Sequence, residues 1–155
     1  MRSKHKKQPA TQQTIKYLRI AVFSIDEVLP FVMFEKDGSP KKGNRDRMYG
    51  EHSVHMNSLR YRTFLVSGVT CVKCGLVGTF FALERPEWPG PGSKGNPNGR
   101  YHFNLYGVDS ETGEDILITK DHIVPVSKGG KSNIANLQTM CCRCNFEKGN
   151  QQPSG

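Results

Sequence analysis

The chain has 155 residues, with 22 Lys+Arg against 14 Asp+Glu, a formal charge of +8 and a sequence pI near 9.4. That length predicts one domain with room for a small appendage, and a hydrophobic share of 35% leaves material for loops or tails beside the core. No apolar run approaches the ~20 residues a membrane helix needs. The basic start Met1 to Lys7 runs into Gln8-Pro9-Ala10-Thr11-Gln12-Gln13, not into the apolar segment of a signal peptide. Strong positive charge says nothing about fold but predicts polyanionic partners, nucleic acid first. The excess is uneven: residues 1–62 hold 13 basic and 6 acidic residues, and residues 63–155 hold 9 and 8.

Residues 1–13 read as a disordered basic arm. Residues 14–34 are the most apolar stretch. Ile15, Leu18, Val22 and Phe23 fit helical spacing, Ser24-Ile25-Asp26-Glu27 resembles a capping box opening a second short helix, and Pro30 limits that helix. A strand through Ile20 to Phe23 is the alternative. Residues 35–50 form a polar, basic linker, and residues 52–65 read as a helix with Val54, Leu59 and Phe64 inward and Ser67-Gly68 ending it. Arg60 and Arg62 fall on its other faces, available for phosphate contact or simply solvated. His52 and His55 share a helix face on this reading, and such a pair is ordinarily structural.

Residues 69–84 read as a cysteine knuckle with a flanking strand, from the β-formers Val72, Leu76, Phe80, Phe81 and Leu83. Residues 85–100 form a Pro/Gly-rich loop. A strand from Tyr101 to Val108, a turn at Asp109 to Gly113 and a strand from Ile116 to Ile123 make a predicted hairpin. The loop Pro125 to Ser132 follows, and residues 142–150 close as a short helix stopped by Gly149.

The five cysteines form two clusters, Cys71-Val-Lys-Cys74 and Cys141-Cys-Arg-Cys144. An odd count in two knuckles argues against a secreted disulfide framework and for metal in a reducing compartment. Thiolates held by two tight turns can complete a tetrahedron around one structural Zn²⁺, which then has no open position for chemistry. Cys142 reads as a small core hydrophobe, although it could replace Cys141 as a ligand.

Between and after the knuckles run Asp121-His122, the Pro125-Val-Ser-Lys-Gly-Gly loop, the Asn136-Leu-Gln step and Cys144-Asn145-Phe-Glu-Lys148-Gly149. Singly, these residues have structural readings. Together, over residues 69–150, they resemble the HNH endonucleases, also called ββα-metal nucleases. The layout is similar to that of small phage and mobile-element members, which suggests a bacterial or phage-infected cytoplasm. The resemblance implies an α+β fold: a ββα-metal core with a structural zinc site at 69–150, after a basic, mainly helical region at 14–68.

The resemblance also implies roles. His122 would be the general base that deprotonates an attacking water. Asp121 and Asn145 would hold the catalytic cation, and Asn136 would make the loop–strand contact that orients His122. Lys148 would touch a phosphate. Asn145 stands where the family's name has His. Asp121 and Asn145 are both hard oxygen ligands, which favours Mg²⁺ or Mn²⁺ over Zn²⁺ or Ni²⁺. The implied activity is hydrolysis of phosphodiester bonds in DNA, as nicks or double-strand cuts, the latter by a dimer or by two sequential nicks. The alternative is a zinc-stabilised nucleic-acid-binding module without catalysis. The charge division predicts that DNA affinity resides in residues 1–62, chiefly the arm, the linker, Arg60 and Arg62.

Overall fold

Residues 17–24 are rich in Tyr, Ile, Val and Phe, which suit a pleated surface better than a helix. In the computed structural model they form an edge strand, β1 (Tyr17–Ser24). The structure describes residues 15–89 and 99–149. The expected arm 1–13, most of the Pro/Gly-rich loop and the tail 151–155 lie outside the described residues. β1 decides the open choice for this stretch in favour of the strand and against the helix. Ala21 and Phe23 pack on the core while Ile20 and Val22 stay exposed, a period of two rather than 3.6. Ser24 makes no side-chain cap, and two single 3₁₀ turns, Ile25–Glu27 and Leu29–Phe31, follow in place of a second helix.

The stretch 52–65 is also corrected, because it divides. β2 (Asp46–Tyr49), inside the expected linker, pairs antiparallel with β3 (His52–His55), and only Leu59–Ser67 is helical, as α1. The Ser58 hydroxyl accepts from the Arg60 N–H and fixes the start of α1. Gly68, at φ +87°, ends it as expected. His52 and His55 therefore share no helix face. His55 Nδ1 bonds Asp46, and the His52 ring stands edge-on to Tyr101.

The main sheet has the order β1-β4-β5-β6-β7, with β4 at Phe80–Pro86, β5 at His102–Val108, β6 at Asp115–His122 and β7 at Leu137–Cys141. β1 pairs with β4 in antiparallel register, so the sheet runs across residue 68. The register sets Phe81, Leu83, Phe103, Leu105, Ile118 and Cys141 on one buried face. Tyr61 and Phe64 of α1 join the same core. Phe103 is its hub: the rings of Tyr49, Phe23, Phe81 and Tyr61 lie 4.7, 5.6, 6.0 and 6.3 Å from it, in edge-on contacts worth about 0.5–1.5 kcal/mol each.

The expected hairpin is present as β5–β6. The strand that feeds the closing helix is β7, which the sequence reading did not separate. β6, a long loop, β7 and α2 (Cys142–Lys148) form the β–β–α unit of this mixed α+β fold. α2 lies over the face of β6 that carries Thr119 and Asp121, where its side chains bond both residues.

Candidate active site and sulfur cluster

The two knuckles meet as the sequence spacing predicts. In the first, Gly75 at φ +80° closes a tight turn, with its N–H on the Cys71 carbonyl at 3.0 Å. The second is the junction of β7 and α2, where Cys141 is the N-cap residue and its sulfur accepts from the Cys144 N–H at 3.5 Å. The sulfurs of Cys71, Cys74, Cys141 and Cys144 all lie within 4.8 Å of one another. A tetrahedral Zn²⁺ with bonds of about 2.3 Å sets its sulfurs about 3.8 Å apart, and the Cys74 and Cys141 sulfurs stand 3.8 Å apart. The cluster is therefore compatible with a structural zinc site. Cys141, not Cys142, supplies the fourth sulfur, and Cys142 packs half-buried against the core. A hydrogen bond from Cys141 holds the Cys71 thiol well below its ordinary range, and the same bond pushes Cys141 up. One negative sulfur resists a second beside it, and a divalent cation reverses that resistance.

The far end of α2 faces an open cleft of about 270 Å³ lined by Asp121, His122, Asn145 and Lys148, with Lys120 and the loop after Pro125. The Asp121 carboxylate is buried at 7% exposure. Its Oδ2 accepts from Gln138 Nε2 at 2.9 Å and from Lys148 Nζ at 2.7 Å. Two donors on one oxygen fix the carboxylate plane and leave Oδ1 as the atom able to meet a cation. Lys148 Nζ also donates to the His122 carbonyl at 2.5 Å. Its ammonium is thus engaged by two oxygens of the fold at the wall of the cleft. The Asn145 amide nitrogen points to Thr119 Oγ1 at 3.5 Å, which leaves its carbonyl oxygen as the possible ligand atom. Two hard oxygens in an open, wet cleft fit a hydrated divalent cation such as Mg²⁺.

Asn136 is a clamp. Its Oδ1 accepts from the Val124 N–H at 2.9 Å, and its Nδ2 donates to the carbonyls of Val124 at 3.1 Å and Lys131 at 2.9 Å. Three bonds from one amide tie both ends of the loop to the end of β6, so Asn136 reaches His122 through the backbone and not by direct contact. The two glycines of this loop have separate reasons. Gly129 takes φ +89°, and a Cβ on Gly130 would stand 1.8 Å from the Val124 carbonyl oxygen. The loop also delivers Ser132, whose Oγ lies 2.8 Å from His122 Nε2.

Two residues escaped the sequence reading. Ser132 had no signal beyond its place in the loop. Gln138 had one, the alternation in Asn136-Leu-Gln that turns Leu137 inward and Gln138 outward, but using it requires the pairing of Asp121 with Gln138. Arg60 and Arg62, expected as phosphate contacts or as solvated cations, are half-buried. Arg60 Nη2 donates to the Phe103 carbonyl at 2.8 Å, and the Arg62 guanidinium stacks on Phe34 at 5.1 Å and packs against Gly38.

A strand ending in Asp-His, a loop clamped by an Asn, a second strand and a short helix returning an Asn to the same cleft make up the β–β–α unit that the sequence resemblance implied. Residues 110–151 match the family model of the HNH endonuclease. The match covers 42 of the 155 residues and makes this segment similar to the HNH nucleases. No curated protein and no solved structure matches the chain.

Proposed function

We propose that this protein is a divalent-metal-dependent endonuclease that hydrolyses phosphodiester bonds in DNA, with His122 as the general base. The observation that carries this reading is the convergence of Asp121, His122 and Asn145 on one open cleft. Asp121 Oδ1 and the Asn145 carbonyl oxygen would hold one Mg²⁺ or Mn²⁺, which when bound neutralises charge on the phosphate and the leaving oxygen. His122 takes the proton from the attacking water. The tautomer suited to this donates Nε2–H to Ser132 Oγ and keeps its lone pair on Nδ1. Asn136 fixes the loop that brings Ser132 to the ring. Gln138 and Lys148 hold the Asp121 carboxylate in one orientation, and the ammonium offsets its charge.

Cys71, Cys74, Cys141 and Cys144 would hold a structural Zn²⁺ that sets the first turn of α2. Four thiolates and one Zn²⁺ add −2 to the formal charge, which lowers +8 to +6. The test is incubation of supercoiled plasmid with the protein and millimolar Mg²⁺. The expected result is nicked or linear product with the native chain and none with His122→Ala. Binding without cleavage by both proteins would favour the non-catalytic nucleic-acid-binding module instead.

A further inference from the structure

Of the residues expected to bind DNA in the N-terminal region, Arg60 and Arg62 are half-buried and engaged by the Phe103 carbonyl and the Phe34 ring. The charge excess of residues 1–62 has another outlet. Beside the β2–β3 hairpin lies an open, polar cleft of about 440 Å³ lined by Lys42, Asn44, Arg45, Asp46, His55 and Arg100. Its one carboxylate is already satisfied. Asp46 bonds His55 Nδ1, accepts from Ser53 Oγ at 3.2 Å and stands 3.7 Å from Arg100. Lys42 and Arg45 make no ion pair among the described residues, so the cleft holds two cations that its one carboxylate does not pair. Such a convergence lowers the energy of an incoming anion. The turn that presents them carries Asn44 at φ +49°, a left-handed conformation uncommon outside glycine.

The position matters as much as the charge. Arg100 leads into the start of β5, while β6, running antiparallel to β5, ends at His122. The cleft therefore opens at the same end of the sheet as the Asp121–His122 cleft. We propose that this cleft docks a backbone phosphate of duplex DNA beside the scissile one, with Lys42 and Arg45 as its principal contacts and Arg100 at its edge. The inference rests on the nuclease reading for its substrate but not for its chemistry. Phosphate contacts of this kind position a duplex without reading its sequence.

The test is binding of a fluorescent 20-base-pair duplex to the full chain, without added Mg²⁺, between 50 and 200 mM salt. Lys42→Ala/Arg45→Ala is compared with Lys16→Ala/Lys36→Ala, an equal charge change at exposed residues outside the cleft. The cleft double variant is expected to bind roughly tenfold or more weakly, with the log–log salt slope reduced by about one unit, close to 0.9 for the one lost phosphate contact. Lys42→Glu, a surface change, is expected to act in the same direction alone. The control pair is expected to bind like the native chain. Native-like binding by the cleft variant, an equal loss in the control pair, or no duplex binding by the native chain overturns the proposal. Plasmid cleavage separates the two readings. A native chain that binds through the cleft but leaves plasmid intact contradicts hydrolysis and keeps the docking site. A native chain that cleaves while the cleft variant binds normally does the reverse.

Discussion

Helix α2 has only seven residues, yet its two ends build opposite kinds of site. At its start, four sulfurs crowd within 4.8 Å in a place where Cys71, Cys141 and Cys144 are buried. At its end, Asn145 and Lys148 face an open cleft with Asp121 and His122. The first end is closed, soft and complete, suited to holding shape. The second is hard, oxygen-lined and incomplete, suited to admitting water and a phosphate. Cys144 and Asn145 are adjacent, so what fixes one end fixes the other. The contrast shows how one short helix can serve both places. A helix of seven residues has few hydrogen bonds of its own to hold it, and an ion held by the sulfur cluster would supply the missing constraint.

The largest separation of the two ends is expected from His122→Ala. Loss of a general base costs about 10²–10⁴-fold in rate. Plasmid cleavage should fall by at least about 100-fold, while the melting temperature and zinc content stay unchanged. Exchange of the added cation should act next. Mg²⁺ or Mn²⁺ is expected to support cleavage, and Zn²⁺ or Ni²⁺ alone is not. Cleavage with Ni²⁺ but not Mg²⁺ would show that the open end does not select by its oxygen ligands.

Asn136→Ala removes three hydrogen bonds at a half-buried amide. It should cost about 1–3 kcal/mol of stability, read by urea melts, and lower cleavage by roughly tenfold or more as the loop loosens. The smallest effect is expected from Gln138→Leu, which removes one of the two donors on Asp121 Oδ2. The Mg²⁺ concentration for half-maximal cleavage should rise by roughly tenfold, as for other lost orienting partners of metal ligands. Unchanged Mg²⁺ dependence would mean that Lys148 alone orients the carboxylate.

Which residues meet in the cleft was more legible in the sequence than the individual elements of the N-terminal region. Asp121, His122, Asn136 and Asn145 sit within one chain segment, and their work depends on short-range geometry: a strand end, a loop with two constrained glycines and one helical turn. The two C-x-x-C knuckles are local in the same sense. Local pattern misled where partners are distant. Leu18, Val22 and Phe23 fit a helical period, but pairing of β1 with β4, some sixty residues away, decides for a strand. Arg60 and Arg62 read as free cations because nothing nearby reveals the Phe103 carbonyl or the Phe34 ring that engages them. The role of Gln138 became visible only through the register of β6 with β7. β1 also changes how the N-terminal region can be tested. Deleting residues 1–50 would remove a strand of the sheet, so charge substitutions are the cleaner probe.

The central claim is that the closed end of α2 supports the open end. Cys74→Ser tests it most directly, because Cys74 contributes to the sulfur cluster and does not line the catalytic cleft. Zinc content, thermal stability and Mg²⁺-dependent plasmid cleavage are measured on the same preparation. The account predicts that zinc is lost, that the melting temperature falls by about 10 °C, matching roughly 3 kcal/mol for a chain of this size, and that cleavage falls with it. A folded, zinc-free Cys74→Ser protein that cleaves plasmid at the native rate would contradict it.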